Sequence, residues 1–370
     1  RGKKLLLVGF TLFSMFFGAG NLIFPPFLGA LAGTALWPAF VGFAVSAIGL
    51  PIAGVAAVAR AGGLPALAGR VHPRFAQVFA VLVYLSIGPC LAIPRTASTS
   101  FEMLTPLVGR STPGQFIYSL VFFAAAYFVA LKPEKLTQRL GRILCPALLV
   151  LIVVLFAGCI LRPAAPGYGT PAEAYAALPA AQGVLDGYQT MDALAALPFG
   201  IIVLQSAASK GYSGSKSKLR IVGGSALLAG VLLLAVYMGL AYLGATVSAQ
   251  CAGAEIGRAQ LTMAIVEGLM GKVGMVLFGV VVGLACVTTA VALTSSAAAY
   301  FAELCRGKVS YKVFVVVICV FSAVVSNLGL DRIVAIAAPV LDVVYPPTLV
   351  LILIALVIPH VTDRVSRAAA

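Results

Sequence analysis

The sequence predicts an all-α polytopic membrane protein of about ten transmembrane helices, built as two five-helix halves of opposite topology. Three observations predict it. Of 370 residues, 61% are hydrophobic and 10% charged, against about 25% charged in soluble domains. The apolar residues form continuous runs rather than the alternation of a membrane β-barrel. Two of those runs, the first and the sixth, carry Gly and Pro at mid-span.

Ten runs are long enough to address a hydrocarbon core of about 30 Å. They lie at 5–32, 38–59, 75–104, 116–131, 143–161, 191–208, 221–243, 273–304, 313–327 and 333–358. Residues 1–162 form the first repeat, 163–190 a Pro/Gly-rich extracytoplasmic linker, 191–358 the second repeat and 359–370 a cytoplasmic tail. Five spans is an odd number, so the second copy enters from the opposite face. Lys and Arg set the orientation. With the N-terminus in the cytoplasm, all of the 25 except Arg95, Arg110, Arg162, Arg258, Lys272 and Arg332 fall on that side, and both termini are cytoplasmic. This bias accounts for the net charge of +14 through anionic membrane lipid rather than nucleic acid. The chain begins with Arg1 rather than Met and is read as a trimmed form. It has no evident cleavable signal peptide. Seven cysteines without CxxC spacing predict no disulfide framework.

The first run holds Phe17-Gly18-Ala19-Gly20-Asn21-Leu22-Ile23-Phe24-Pro25-Pro26. Each glycine costs a helix about 1 kcal/mol relative to alanine, and an interior proline removes a donor. The run therefore reads as two half-helices joined by an unwound segment. In hydrocarbon such a joint survives only where protein or a water-filled cavity surrounds it. Half-helix N-termini attract anions, and freed carbonyls attract cations. The other reading is a kink that only aids packing.

In the third run, Gly88-Pro89 bends the helix, and Arg95 and Glu102 follow two turns apart on one face. Charges there face protein or water. Arg95 either gates an outer vestibule or hydrogen-bonds carbonyls freed by Pro94. The loop Gly211–Lys218 is polar and cytoplasmic, and the outer segment Ser248–Gly268, with Glu255, is either short surface helices or a connector. The sixth run places Pro198 and Gly200 at mid-span, the interruption that pairs with the first. Paired interruptions in corresponding positions point to a transporter's binding site. Asp192, at the start of this run, reads as a charge on a helix N-terminus.

The eighth run sets Thr288 and Thr289 side by side, with Ala285 one turn earlier. Two hydroxyls, one carbonyl and two carbonyls from the broken first run would give a hard cation five oxygens. Alternatively each threonine bonds back to its own helix. Asp342, in the tenth run, offers a proton relay, a cation contact or a partner for Arg95. The two histidines, His72 and His360, lie at cytoplasmic edges. No Walker loop, HExxH or Ser-His-Asp set is present, so neither an enzyme nor an ATP-driven pump is expected, and no organic cofactor.

These blocks resemble a known family. Phe17–Pro26, with Ile93-Pro94-Arg95-Thr96-Ala97, Thr190-Met191-Asp192-Ala193-Leu194, Leu284–Ala290 and Val344-Tyr345-Pro346-Pro347, is similar to the bacterial branched-chain amino acid:cation symporters. The resemblance spans the chain and implies a LeuT-like five-plus-five inverted-repeat fold in the bacterial inner membrane. It implies Na+-coupled uptake of leucine, isoleucine and valine, with H+ as the alternative coupling ion. By the same resemblance, the Ala19 and Gly20 amides beside Gly18 hold the substrate carboxylate. Carbonyls near Pro198, Phe199 and Gly200 take the ammonium. Ile87, Gly88, Phe199 and Ala292 line the apolar pocket. Carbonyls of Ser14, Phe17 and Ala285 with Thr288 and Thr289 bind sodium, and Asn21 contacts a second cation. Family members usually have about twelve helices, which agrees with a trimmed chain. A non-transporting amino acid sensor and a channel are the readings from other classes.

Overall fold

A computed structural model describes residues 2–131, 146–147, 149–158, 160–161, 167–209, 215–251 and 257–357. The tail 359–370, His360, Cys145, Cys159, Glu255, Arg162 and the loop residues Gly211–Gly214 of the sequence reading lie outside them. Among the described residues, all regular structure is helical.

The first run forms α1 (Gly2–Phe16) and α2 (Ala19–Ala32), parted at Phe17-Gly18, with Gly18 extended at φ −122° and ψ −163°. Pro25 and Pro26 lie inside α2. The Pro26 ring leaves the Leu22 carbonyl without its helical donor, and Thr262 Oγ1 reaches it at 3.4 Å. Gly33 (φ 49°) turns the chain into α3 (Leu36–Ala44), a π turn (Val45–Gly49) and α4 (Leu50–Ala61). The Thr34 amide donates to the Gly169 carbonyl at 3.1 Å and fixes that turn.

After the short α5 (Leu64–Gly69) comes the third run, α6 (Pro73–Leu85) and α7 (Ala92–Val108). A π turn, Ser86–Cys90, joins them, and Gly88 leaves helical geometry there, as the Gly-Pro pair predicts. The fourth and fifth runs are α8 (Thr112–Ala130) and α9 (Leu149–Gly158). The second half contains α10 (Glu173–Ala176), α11 (Pro179–Tyr188), α12 (Asp192–Ser209) and α13 (Ser215–Thr246). It continues with α14 (Ser248–Cys251), α15 (Arg258–Leu304), α16 (Tyr311–Ser326) and α17 (Leu330–Val357). Gly271 (φ 69°) separates an outer arm of α15 from its span. The segment after Ser248 is thus helical on both sides of residues 252–256.

The sixth run corrects the sequence reading. The chain is helical through Pro198 and Gly200. The break falls at 189–191, where α11 and α12 meet at 46° and Met191 has φ 61°. Neighbouring helices can absorb a proline inside a membrane span. Gly200 acts in packing: a Cβ there would stand 3.0 Å from Val58 on α4. The half-helix α11 lies within the segment read as linker.

The first span of each half packs on the second span of the other. α1 and α2 lie on α13, while α11 lies on α3 and α12 on α4. The third spans, α7 and the inner part of α15, pack on each other. Close backbone approach makes both cross-pairings possible. A Cβ on Gly29 of α2 would fall 1.9 Å from the Ala241 carbonyl oxygen, and one on Gly244 of α13 would fall 1.9 Å from that of Pro26. In the other half-pair, Gly42 and Gly183 meet the Ala180 and Ala39 carbonyl oxygens at the same distance. Small residues let membrane helices approach in this way. The outer surface is apolar: Val41, Val78, Phe128, Val231, Val273 and Val324 are all more than half exposed, a composition suited to lipid rather than water.

The glycine contacts predict asymmetric tolerance. Gly244→Ala or Gly183→Ala should cost at least about 1–3 kcal/mol, the range for overpacked cores. Gly223→Ala, where nothing lies within 4 Å, should be neutral or mildly stabilising. Thermal unfolding in detergent reads the difference, and equal melting temperatures would contradict the packing.

Candidate functional site

The two breaks face one another across a cavity of about 30 Å³, room for one or two waters. Its wall takes Gly18, Gly20 and Asn21 from the first break, and Thr190, Met191 and Asp192 from the second. The remaining elements contribute at helical spacing. α7 presents Ala92, Arg95 and Thr96, α12 presents Asp192, Ala195 and Phe199, and α15 presents Thr289 and Leu293. Ile87 enters from the π turn of the third run. Such turns recur at functional sites.

A polar cluster lies on the wall. Asn21 Nδ2 donates to Asp192 Oδ2 at 2.7 Å, and the Tyr237 hydroxyl of α13 donates to the same oxygen at 3.1 Å. Asn21 and Tyr237 also bond to each other. Arg95 donates to the Gln189 carbonyl and, at 3.1 Å, to that of Thr190. The Thr190 hydroxyl returns to the Gly187 carbonyl at 2.8 Å. The second break thus has its free carbonyls covered by one guanidinium and one hydroxyl. Arg95, Asp192 and Asn21 are all buried.

One aromatic pair belongs to the cavity wall, and a second lies outside it on α11 and α17. Phe16, at the end of α1, meets Phe199 edge-on with centroids 5.6 Å apart. Beyond the second break, Tyr188 of α11 stacks on Tyr345 of α17 at 4.2 Å. Farther out, Arg258 pairs with Asp331 at 3.2 Å and lies over the Phe27 ring of α2, 4.6 Å from its centroid. Phe16 and Phe199 bound the cavity on the α1–α12 side.

Gly18, Gly20, Asn21, Ile87, Phe199, Thr289 and Arg95, all singled out from sequence, line this one cavity. A Cβ on Gly18 would come within 3.1 Å of Thr289 Oγ1, so α15 presents that threonine to the first break. Thr289 Oγ1 is buried without a partner, while Thr288 Oγ1 is bonded to the Ala285 carbonyl at 2.8 Å. Ser14 and Phe17 border the same break at the end of α1. The last four carbonyls of a helix lack intrahelical partners.

Several expectations move. Pro198 and Gly200 do not line the cavity, although Phe199 between them does: the helix is continuous there, and Gly200 is on the face toward Val58 of α4. Ala292 and Gly88 are also off the wall; Leu293 occupies the place expected of Ala292, and Gly88 faces Ala297. Asp342 is exposed on α17 and is no partner for Arg95. Arg95 serves carbonyls of the second break, not those freed by Pro94. Glu102, expected on the same polar face, accepts instead from the Leu330 amide at 3.2 Å. Sequence reasoning missed Thr190, Met191, Tyr237 and the membership of Asp192. A carboxylate at the start of an apolar run was the available signal.

Comparisons with known proteins agree with this geometry. The family described as "Branched-chain amino acid transport protein" matches residues 1–368. The chain is 38% identical over 359 residues to the branched-chain amino acid permease BraB of Bacillus subtilis (strain 168), covering 96% of this chain and 80% of that protein. It is 40% identical to the branched-chain amino acid transport system 2 carrier protein of Pseudomonas aeruginosa, covering 96% and 81%. With the branched-chain amino acid permease BrnQ of Escherichia coli (strain K12) it shares 38% identity, covering 96% and 80%. These relatives are named as permeases and carriers, not enzymes. Among solved structures, MhsT in complex with L-phenylalanine superposes with TM-score 0.63 at 19% identity, over 94% of this chain and 88% of that one. A point mutant of the Eremococcus coleocola manganese transporter gives 0.61 at 14% identity, over 94% and 79%. These likenesses establish the LeuT-like fold.

The carbonyl contacts make Arg95 a stabilising residue as well as a wall residue. Arg95→Met should leave two buried carbonyls unpaired, at about 1–3 kcal/mol each. The readouts are a lowered melting temperature in detergent and faster amide exchange in peptides spanning 186–193. Unchanged exchange there would contradict the assigned bonds.

Proposed function

The chain belongs to the branched-chain amino acid transport protein family, and on that premise we propose that it is a sodium-coupled symporter of leucine, isoleucine and valine. It works by alternating access in the bacterial inner membrane. The observation that carries this reading is the enclosed cavity between two broken helices, with Thr289 set against Gly18. The names of the relatives supply the substrate class.

The cavity as it stands holds about one or two waters, so the substrate side chain enters as the wall parts and lies against its apolar residues, Ile87, Phe199 and Leu293. Such a surface separates aliphatic side chains poorly, because one methylene is worth about 1–3 kcal/mol. Broad acceptance of the three branched residues follows. The amides at the start of α2 take the carboxylate. Gly18 caps α2 without a side chain, so those amides have no side-chain competitor.

Sodium, as co-substrate, sits between the first break and α15. The oxygens of Ser14, Phe17, Ala285, Thr288 and Thr289 are the donor set, and oxygen donors of this kind suit a hard cation. The unpartnered Thr289 hydroxyl is what most favours the site. The ion holds the end of α1 against α15 and biases the carrier toward the state that receives substrate from outside. That bias requires tighter ion binding in one state than in the other. Closure on the outer side follows the Arg95 and Tyr188–Tyr345 contacts, and opening on the inner side requires parting Phe16 from Phe199. Proton coupling through Asp342 draws no support from its exposed position away from the wall.

Leucine uptake into proteoliposomes tests the reading. An inward sodium gradient should drive uptake that excess valine blocks, and substrate-saturable counterflow should separate a carrier from a channel or sensor. Uptake driven by a proton gradient alone would contradict sodium coupling. Thr289→Ala should raise the sodium concentration for half-activation by about tenfold or more, equivalent to losing one charge-assisted ligand contact of about 1.5–3 kcal/mol. Thr288→Ala, whose hydroxyl is already engaged by its own helix, should have the smaller effect. Unchanged sodium activation in Thr289→Ala would remove the site.

A further inference from the structure

We propose that Arg95 and Asp192 are the two charge partners of the transported zwitterion: the guanidinium takes its carboxylate and the Asp192 carboxylate takes its ammonium. The inference rests on the amino acid reading above; it adds the Arg95 guanidinium to the α2 amides at the carboxylate and gives the ammonium to Asp192.

Both groups line the enclosed cavity, at 3% and 4% exposure. No direct ion pair between them is formed among the described residues, although Arg95 bonds the Gln189 and Thr190 carbonyls that lead into Asp192. Among the described residues the cavity wall holds no other Lys, Arg, Asp or Glu. A buried charge in a membrane protein is costly unless it is matched. One cation and one anion on the wall of one small cavity match a molecule that carries one of each.

The positive pole is built at α2. Arg95 Nη2 stands 2.9 Å from where a Cβ on Gly20 would be, so a side chain at position 20 would displace the guanidinium. The uncapped start of α2 and the guanidinium therefore address the same space. Arg95 Nε is buried and has no partner, although two other guanidinium N–H groups are engaged by Gln189 and Thr190. A guanidinium has five donors in a fixed fork, and a carboxylate is the group that fork fits best.

The negative pole follows from charge: the carbonyls of the second break already carry side-chain donors, and Asp192 is the one carboxylate on the wall among the described residues. A substrate ammonium would ordinarily look to carbonyls freed by an unwound helix. Here Arg95 occupies the carbonyls of Gln189 and Thr190, and the Thr190 hydroxyl occupies that of Gly187. Asp192 is the next group along the chain and faces the cavity from the first turn of α12. Asn21 and Tyr237 use two of its acceptor positions, and an ionised carboxylate has about four. These two donors also fix its orientation. Asn21 thus positions the carboxylate from the first break, tying the two half-sites together.

Separate analogues test the two poles on the purified full chain. Binding of leucine, 4-methylpentanoate (no ammonium) and 3-methylbutylamine (no carboxylate) is measured by thermal-shift titration in sodium buffer. The parent protein should prefer leucine to both analogues. Asp192→Asn should weaken leucine binding by about 30-fold or more, the range for truncating one member of a buried charge pair, while leaving 4-methylpentanoate binding nearly unchanged. Arg95→Gln should do the reverse, sparing 3-methylbutylamine. Asp192→Glu and Arg95→Lys, which keep the charges, should retain the preference for leucine and carry the test where a neutral variant fails gel filtration. Equal losses for leucine and both analogues in each variant would overturn the assignment, as would an effect confined to sodium affinity. Failure of the parent protein to bind leucine would instead overturn the amino acid reading, before any variant is compared.

Discussion

The structure depends on one constraint: backbone groups freed inside a membrane must find partners within the protein. Two spans are interrupted, at Phe17-Gly18 and at residues 189–191. Unpaired, each interruption would be strongly unfavourable. Set opposite each other, they share a small enclosed space, and a few polar side chains serve both. Arg95 covers the second break and lies against the start of α2. Asn21 reaches from the first break to Asp192 at the second. The same contacts that make the interruptions tolerable also make the cavity polar at its poles and apolar elsewhere.

The halves are arranged so that this meeting is geometrically enforced. Each broken span lies on the second span of the opposite half, through glycines that allow carbonyl-to-helix contact. α1 and α2 rest on α13, and α11 and α12 on α3 and α4. Phe16, Phe199 and Tyr188 are carried by the half-helices, and Tyr345 by α17.

Much of this was legible from sequence where local chemistry and tertiary role coincide. Gly18 and Gly20 weaken a helix and also permit the close approach of Thr289 and Arg95, so the first break was readable directly. The second was not. Pro198 and Gly200 are the strongest helix-breaking signals in the sixth run, yet α4 and its neighbours hold that stretch helical. The true break, Gln189-Thr190-Met191, contains neither glycine nor proline, and its strain rests on Met191. Reading the break at Pro198 and Gly200 left Asp192 as a charge on a helix start, whereas it lies on the cavity wall beside the break at 189–191. Asp342 misled in the opposite direction: a carboxylate in an apolar run signals function only if its helix face is buried, and that face is set by packing that the run does not encode.

A single site formed by both breaks is testable by hydrogen exchange of the purified protein, with and without leucine and sodium. Peptides spanning residues 13–22 and 186–193 should gain protection together and with the same dependence on leucine concentration. Protection of one segment alone, or of neither while leucine is bound elsewhere, would contradict it.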